Sequence, residues 1–251
     1  MATLSALLGV SEGHLIDDEP KPAKEAAEQA LGVAQKAKDA TGIADALRAF
    51  VLAQVASGEV DAGLAKAKEE LAKFQGSKDK HGEGAMLLAM AEAQAMSQDA
   101  EDALVKAKEA GAAFKAKGEK SWEAKASLAA ANAYMQTDQT KEAKEATEQA
   151  QKLFQDAKDK RGEASALEQL AVVELSKNRN LEVLSALEGA TALYEQAGAM
   201  REKGVALASM AEMYLARNKA QEALSTAKQA WEASKEAKHA HGVAGAMGLM
   251  A

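Results

Sequence analysis

The residues that could do chemistry are few: four histidines, some acidic clusters and scattered serines. His239-Ala240-His241 offers two ring nitrogens of the kind that ligate zinc. No third ligand follows at a useful spacing, so the pair reads as a basic helix cap. His14 and His81 stand alone. Gly82-Glu83-Gly84 has the glycines of a phosphate loop, but no strand pattern precedes it and no Lys-Ser/Thr follows. Asp99-Ala100-Glu101-Asp102 concentrates carboxylates without the spacing of a calcium loop. At the start of a helix such groups cap free N–H donors and favour the dipole instead. No serine lies in a nucleophile-elbow context. The expectation is a protein that is not an enzyme and carries no metal and no cofactor.

What the chain does have is a period. Phe74, Phe114, Phe154 and Tyr194 lie one step of 40 residues apart, as do Ala126, Ala166, Ala206 and Ala246. Gly42, Gly82, Gly162 and Gly242 obey the same step. A fixed period of this size marks a stacked repeat array. Six copies follow without insertion, at 2–41, 42–81, 82–121, 122–161, 162–201 and 202–241, with part of a seventh at 242–251. They are expected to make a single solenoid domain over 1–251.

Each copy reads as two helices. In the fifth they run about Arg161–Ser176 and Leu181–Gln196, joined by Lys177-Asn178-Arg179-Asn180. Ala164, Leu167, Leu170, Ala171, Val172 and Leu175 form the expected buried stripe of the first. Val183, Leu184, Leu187, Ala190 and Tyr194 form that of the second, and Gly198 stands where a C-terminal glycine cap is needed. The first copy is degenerate over Ala2–Ile16, weakened by Gly9 and Gly13. Pro20 and Pro22 fit only a helix's first turn.

Composition narrows the class. Alanine and other strong helix formers dominate, Pro occurs twice and aromatics make up 4%, so the fold is expected to be all-α. A net charge of −7 with mixed signs argues against a nucleic-acid partner. No apolar run is long enough to span a bilayer, so no membrane insertion is expected. The absence of cysteine fits a reducing compartment, and the expected setting is cytoplasmic.

Two-helix repeats with small residues at their crossings resemble tetratricopeptide (TPR) arrays, whose 34-residue unit carries W-x₂-L-G-x₂-Y…A-x₃-F…P. Leu170-Ala171, Met90-Ala91 and Met210-Ala211 occupy the Leu-Gly/Ala columns, and Tyr134 and Tyr214 the tyrosine column. Ala103, Ala143 and Ala223, then Ala110, Ala150, Ala190 and Ala230, occupy the small positions of the second helix. The unit here is longer and lacks the closing proline. In that it is similar to the extended repeats of kinesin light chains and of G-protein-linked spindle-orientation adaptors, whose junctions Asp159–Ala164 also resembles.

The resemblance implies a right-handed α-solenoid that binds a peptide or partner helix on the concave face lined by its first helices. Carried over, the contact positions are Leu52, Val55, Leu88, Ala89, Glu92, Lys125, Leu128, Asn132, Glu168, Gln169, Val172, Ser209 and Glu212. A clamp for a C-terminal carboxylate is disfavoured. Of its lysine and asparagine positions only Asn132 matches, while Leu88, Leu128 and Glu168 stand where lysine belongs. Trp122 and Trp231 could anchor a partner, and the first-helix methionines, from Met86 to Met247 and Met250, could form an adaptable surface, but all read first as packing. The alternative is a structural or spacer subunit with no peptide site. The apolar segment 242–251 points to cover by more protein, whether a continuation of the chain, a second copy or another subunit.

Overall fold

The computed structural model describes residues 3–250. Among them are thirteen α-helices and no strand. The chain divides into two compact units, the first ending at Gln139 and the second beginning at Thr140. The first holds α1 (Leu4–Ile16), α2 (Pro20–Ala37), α3 (Ala40–Ala56), α4 (Val60–Ser77), α5 (Lys80–Met96), α6 (Ala100–Lys117) and α7 (Lys120–Gln136). The second holds α8 (Thr140–Ala157), α9 (Lys160–Ser176), α10 (Asn180–Ala197), α11 (Met200–Ala216), α12 (Ala220–Glu236) and α13 (Ala240–Met250). Successive first helices open at residues 40, 80, 120, 160, 200 and 240, two residues before the repeat frame read from the sequence.

The short connections explain why the pairs turn back on themselves. Within each copy the chain reverses through one left-handed residue, taken in turn by Asp18, Gly58, Gln98, Asp138, Asn178 and Asn218. Most are types that tolerate positive φ. Between copies the same conformation falls on Lys38, Lys78, Gly118, Lys158, Gly198 and Lys238. Gly198, at φ 69°, is the C-terminal cap that the sequence called for. Pro20 occupies the first position of α2, where its missing N–H costs no hydrogen bond.

The core is built mostly of alanine. Ala164, Ala171, Val183, Leu184, Leu187, Ala190 and Tyr194 are buried as expected. The first-helix stripe needs correction. Leu167 and Leu170 are only half-buried, and Val172 and Leu175 are 50% and 47% exposed. Alanines at the crossings bring the helices close, leaving the larger side chains at the rim of the contact rather than inside it. The methionines divide too: Met86, Met90 and Met210 are core, whereas Met247 is 57% exposed.

The four-member aromatic column splits into two arrangements. Phe74 lies over Gly82 and Phe154 over Gly162, each at a site where a Cβ would overlap the ring. At the next junction Trp122 replaces the glycine. Phe114 turns back to Gly84 of α5, where a Cβ would stand 2.7 Å from it, and stacks on Trp122 at 5.4 Å. Glu202 replaces the glycine again, and Tyr194 turns back to α9, with Ser165 3.2 Å from its hydroxyl. The cap changes with the glycine. Asp39, Asp79 and Asp159 accept hydrogen bonds from the backbone N–H groups of Gly42, Gly82 and Gly162, while Glu119 and Ala199 make no such bond.

Candidate functional site

The first helices of a unit present one stripe each, repeating at i, i+3/i+4 and i+7. In the first unit α3 and α5 pack directly, and Arg48 of α3 meets Glu92 of α5 through two hydrogen bonds of 2.6 and 3.0 Å. Arg48 retains 11% side-chain exposure and Glu92 28%. Burial opposes the guanidinium's charge, but the Glu92 carboxylate outweighs it and the pKa is raised.

Trp122 closes this face. Lys125 Nζ sits 4.1 Å from its ring centroid and Arg48 Cζ 5.7 Å, both favourable cation–π contacts. Burial lowers the pKa of Lys125, and the field of Arg48 lowers it further, against the opposing fields of Glu12, Glu92 and Asp45. Behind the tryptophan lies His81, fully buried and edge-on to both Trp122 and Phe114. Its Nε2 is 2.7 Å from Asp45 and its Nδ1 2.7 Å from Glu119. Burial disfavours the imidazolium, yet the two carboxylates prevail and the pKa is raised. One ring, hydrogen-bonded at both nitrogens, thus ties α3, α5 and the start of α7 together. The sequence showed His81 only as an isolated histidine, because its partners lie 36 and 38 residues away.

In the second unit the first helices carry a different face. Tyr194 donates its hydroxyl to Glu168 of α9. Burial raises the pKa of Glu168, and the nearby Glu202 raises it further. Val172 lies one turn on, half exposed, and Gln169 beside it has a buried side-chain nitrogen without a partner. On α11, Val205 is 37% exposed and Glu212 is exposed. Arg161 pairs with Glu202 at the head of the helices. An open cleft of roughly 500 Å³ at the α10–α11 turn mixes Arg161 and Arg201 with Glu202 and Glu236.

Of the positions carried over from the resemblance, Val55, Leu88 and Ala89 are buried and belong to packing. Leu52, Glu92, Lys125 and Leu128 are partly exposed in the first unit, and Asn132 is exposed. In the second unit Glu168, Gln169 and Ser209 are partly exposed, and Val172 and Glu212 are exposed. Trp122, Arg48 and His81 were not among the candidate contacts. Trp122 was visible in the sequence as a break in a glycine column, and the other two only through their partners. Glu174 occupies the tyrosine column of α9 as a buried carboxylate. Lys144 at 2.6 Å lowers its pKa, with Arg179 3.4 Å away. Among the described residues no group of three or more His, Asp or Glu is arranged to hold a metal ion, and no helix is long and apolar enough to cross a membrane.

No protein-family model and no curated protein sequence matches the chain. Solved structures do. BtubC (BKLC) from P. vanneervenii is 13% identical, with a TM-score of 0.65 over 95% of this chain and 93% of that one. Near-identical TPR-like repeats attributed to a kinesin light chain of Podosopora anserina are 15% identical, with a TM-score of 0.58 over 80% and 100%. A Rap protein complexed with Competence and Sporulation Factor is 10% identical, with a TM-score of 0.57 over 93% and 76%. The likeness at these identities is one of fold.

Proposed function

We infer that this chain, an all-α repeat protein of TPR-like fold, is a non-catalytic interaction scaffold or adaptor. It holds a peptide or partner helix along its first-helix face, in a cytoplasmic setting. The observation that carries this reading is the half-exposed Val172 between Glu168 and the exposed rim of α9, an apolar side chain that its own unit covers only in part. Exposed apolar residues rimmed by polar ones mark contact surfaces. The Rap complex shares the fold and holds a partner, which supports the class of function. Accessible contacts are Leu52, Lys125, Leu128 and Asn132 in the first unit. In the second they are Glu168, Gln169, Val172, Ser209 and Glu212. The exposed Met247 of α13 is the place where self-association or a larger complex would form.

A second reading, a structural or spacer subunit, is favoured by the first unit, whose face is filled by Arg48, Glu92, Trp122 and Lys125. Selection of a phage-displayed peptide library on the immobilised chain separates the two. Ligands that are lost with Val172→Asp and kept with Glu188→Lys, a charge reversal on a second helix, support the adaptor. Absence of enriched ligands, or ligands indifferent to Val172→Asp, favours the spacer.

A further inference from the structure

We propose that the α9–α11 face of the second unit docks a basic amphipathic segment, its lysines or arginines against Glu168 and Glu212 and its apolar side on Val172 and Val205. This rests on the adaptor reading and names the partner class. From Ser165 and Val205 onward, the stripe positions Ser165, Glu168, Gln169 and Val172, with Val205, Ala208, Ser209 and Glu212, hold two carboxylates and no cation. The equivalent positions of α3, α5 and α7 hold Asp45, Arg48, Glu92 and Lys125, two of each sign. One face is neutralised from within and the other is not.

The apolar part continues in the same direction. Leu175 and Leu215 in the last turns are 47% and 43% exposed, so each helix's stripe carries one acid beside exposed hydrocarbon. Among the described residues Glu212 is in no ion pair, and Glu168 accepts from the neutral hydroxyl of Tyr194 with no cation paired to it. A partner cation would supply what Glu168 lacks in its half-buried site, where a charge interaction is stronger than in bulk water. A helix laid in a groove is read through i, i+3, i+4 and i+7 anchors, and these two 17-residue helices offer that spacing.

The probe is a fluorescein-labelled amphipathic peptide of Leu and Lys, about 18 residues long to match these helices. A Leu/Glu peptide of the same pattern is its counterpart, and anisotropy is read on the full chain. Only the Leu/Lys peptide is expected to bind. Glu212→Lys should weaken it by about tenfold or more, and Glu212→Gln by less, since like charges placed opposite one another oppose docking. Val172→Asp, at an exposed site, controls for pure charge attraction: it adds an acid yet should weaken binding by removing the apolar anchor. Glu188→Lys changes net charge equally elsewhere and should leave binding within about twofold. Equal binding of both peptides, or equal loss with Glu188→Lys and Glu212→Lys, overturns the proposal. Acidic or neutral library ligands that still depend on Val172 leave the adaptor reading standing while this inference falls.

Discussion

The first-helix faces of the two units are built from the same columns and reach opposite electrostatic states. In the first, Arg48 and Glu92 satisfy each other, His81 stands between Asp45 and Glu119, and Trp122 roofs the cluster under Lys125. In the second, the exposed Glu212 and the half-buried Glu168, bonded to the Tyr194 hydroxyl, lie on helices that also expose Val172 and Val205. The origin lies at single column positions. A glycine exchanged for tryptophan adds a ring on which cations rest. Arginine at the column that holds Glu168 in α9 finds a glutamate on the next first helix. Charges that neutralise each other stabilise a unit, and charges left over are available to a partner.

The largest effect expected from breaking this contrast is at Arg48. Arg48→Ala leaves Glu92 without its cation and should destabilise the first unit by about 3 kcal/mol. That is the low end for a buried pair, because Glu92 keeps 28% exposure. Arg48→Met with Glu92→Leu should recover most of the loss. In an array held by neighbour contacts the damage is local. Hydrogen exchange should therefore lose protection in α3–α7 and keep it in α9–α12. Equal loss in both units would show that the faces are not independent.

Next come the glycines under the aromatic column. Gly162→Ala pushes a methyl into the Phe154 ring and should cost about 1–3 kcal/mol, outweighing the helix-propensity gain. Gly32→Ala, with nothing within 4 Å of its Cβ, should stabilise by up to about 1 kcal/mol. Chemical denaturation of both variants reads the opposite signs. A stabilised Gly162→Ala would mean that Phe154 can turn back as Phe114 does.

Smaller again are the pH effects, and their signs separate the units. The raised pKa of His81 makes its contribution complete below about pH 6.5, and it is lost as pH rises through the folded value. Glu168, also raised, favours the fold most below its unfolded pKa of about 4.3, and that advantage is lost as pH climbs through the folded value. The lowered Glu174 acts in reverse: its contribution is present above about pH 4.3 and lost as pH falls through the folded value. In hydrogen exchange followed against pH, His81→Gln should flatten the neutral-to-alkaline slope of the first unit and leave the second unchanged.

Architecture was legible in the sequence because it rests on period and propensity. The two-helix copies, the Gly198 cap and the Pro20 start depend on residues read within a few positions, and the 40-residue step shows because it recurs at identical spacing along the chain. The aromatic column was legible in position but not in orientation, since the direction of Phe114 is decided by residue 122, eight positions on. The charge networks were least legible. Every column of a charged helical array contains acids and bases, and only packing decides that Arg48 meets Glu92 while Glu212 finds no cation among the described residues. The expected burial of Leu170, Val172 and Leu175 failed for a related reason. The helical period names a face, but alanine crossings decide how much of it is covered.

The smallest expected effect lies at the junctions, where the two faces begin. Lys158 holds φ at 58° and Gly198 at 69°, the same left-handed step with different residues. A side chain in that region costs roughly 1–2 kcal/mol, while glycine loses about 0.5–1 kcal/mol through the freedom of its unfolded chain. Lys158→Gly should therefore gain about 0.5–1 kcal/mol. Lysine stands before each capping aspartate, at 38, 78 and 158, and glycine before Glu119 and Ala199, which do not cap. The Asp159 cap, worth about 1 kcal/mol, offsets the strain of Lys158, and an uncapped junction has no such offset. Gly198→Lys should consequently destabilise, and thermal unfolding of the two variants should shift in opposite directions. Equal and opposite shifts would mean that conformation alone sets the residue. If Gly198→Lys costs more than Lys158→Gly gains, the cap and the left-handed residue act as one device.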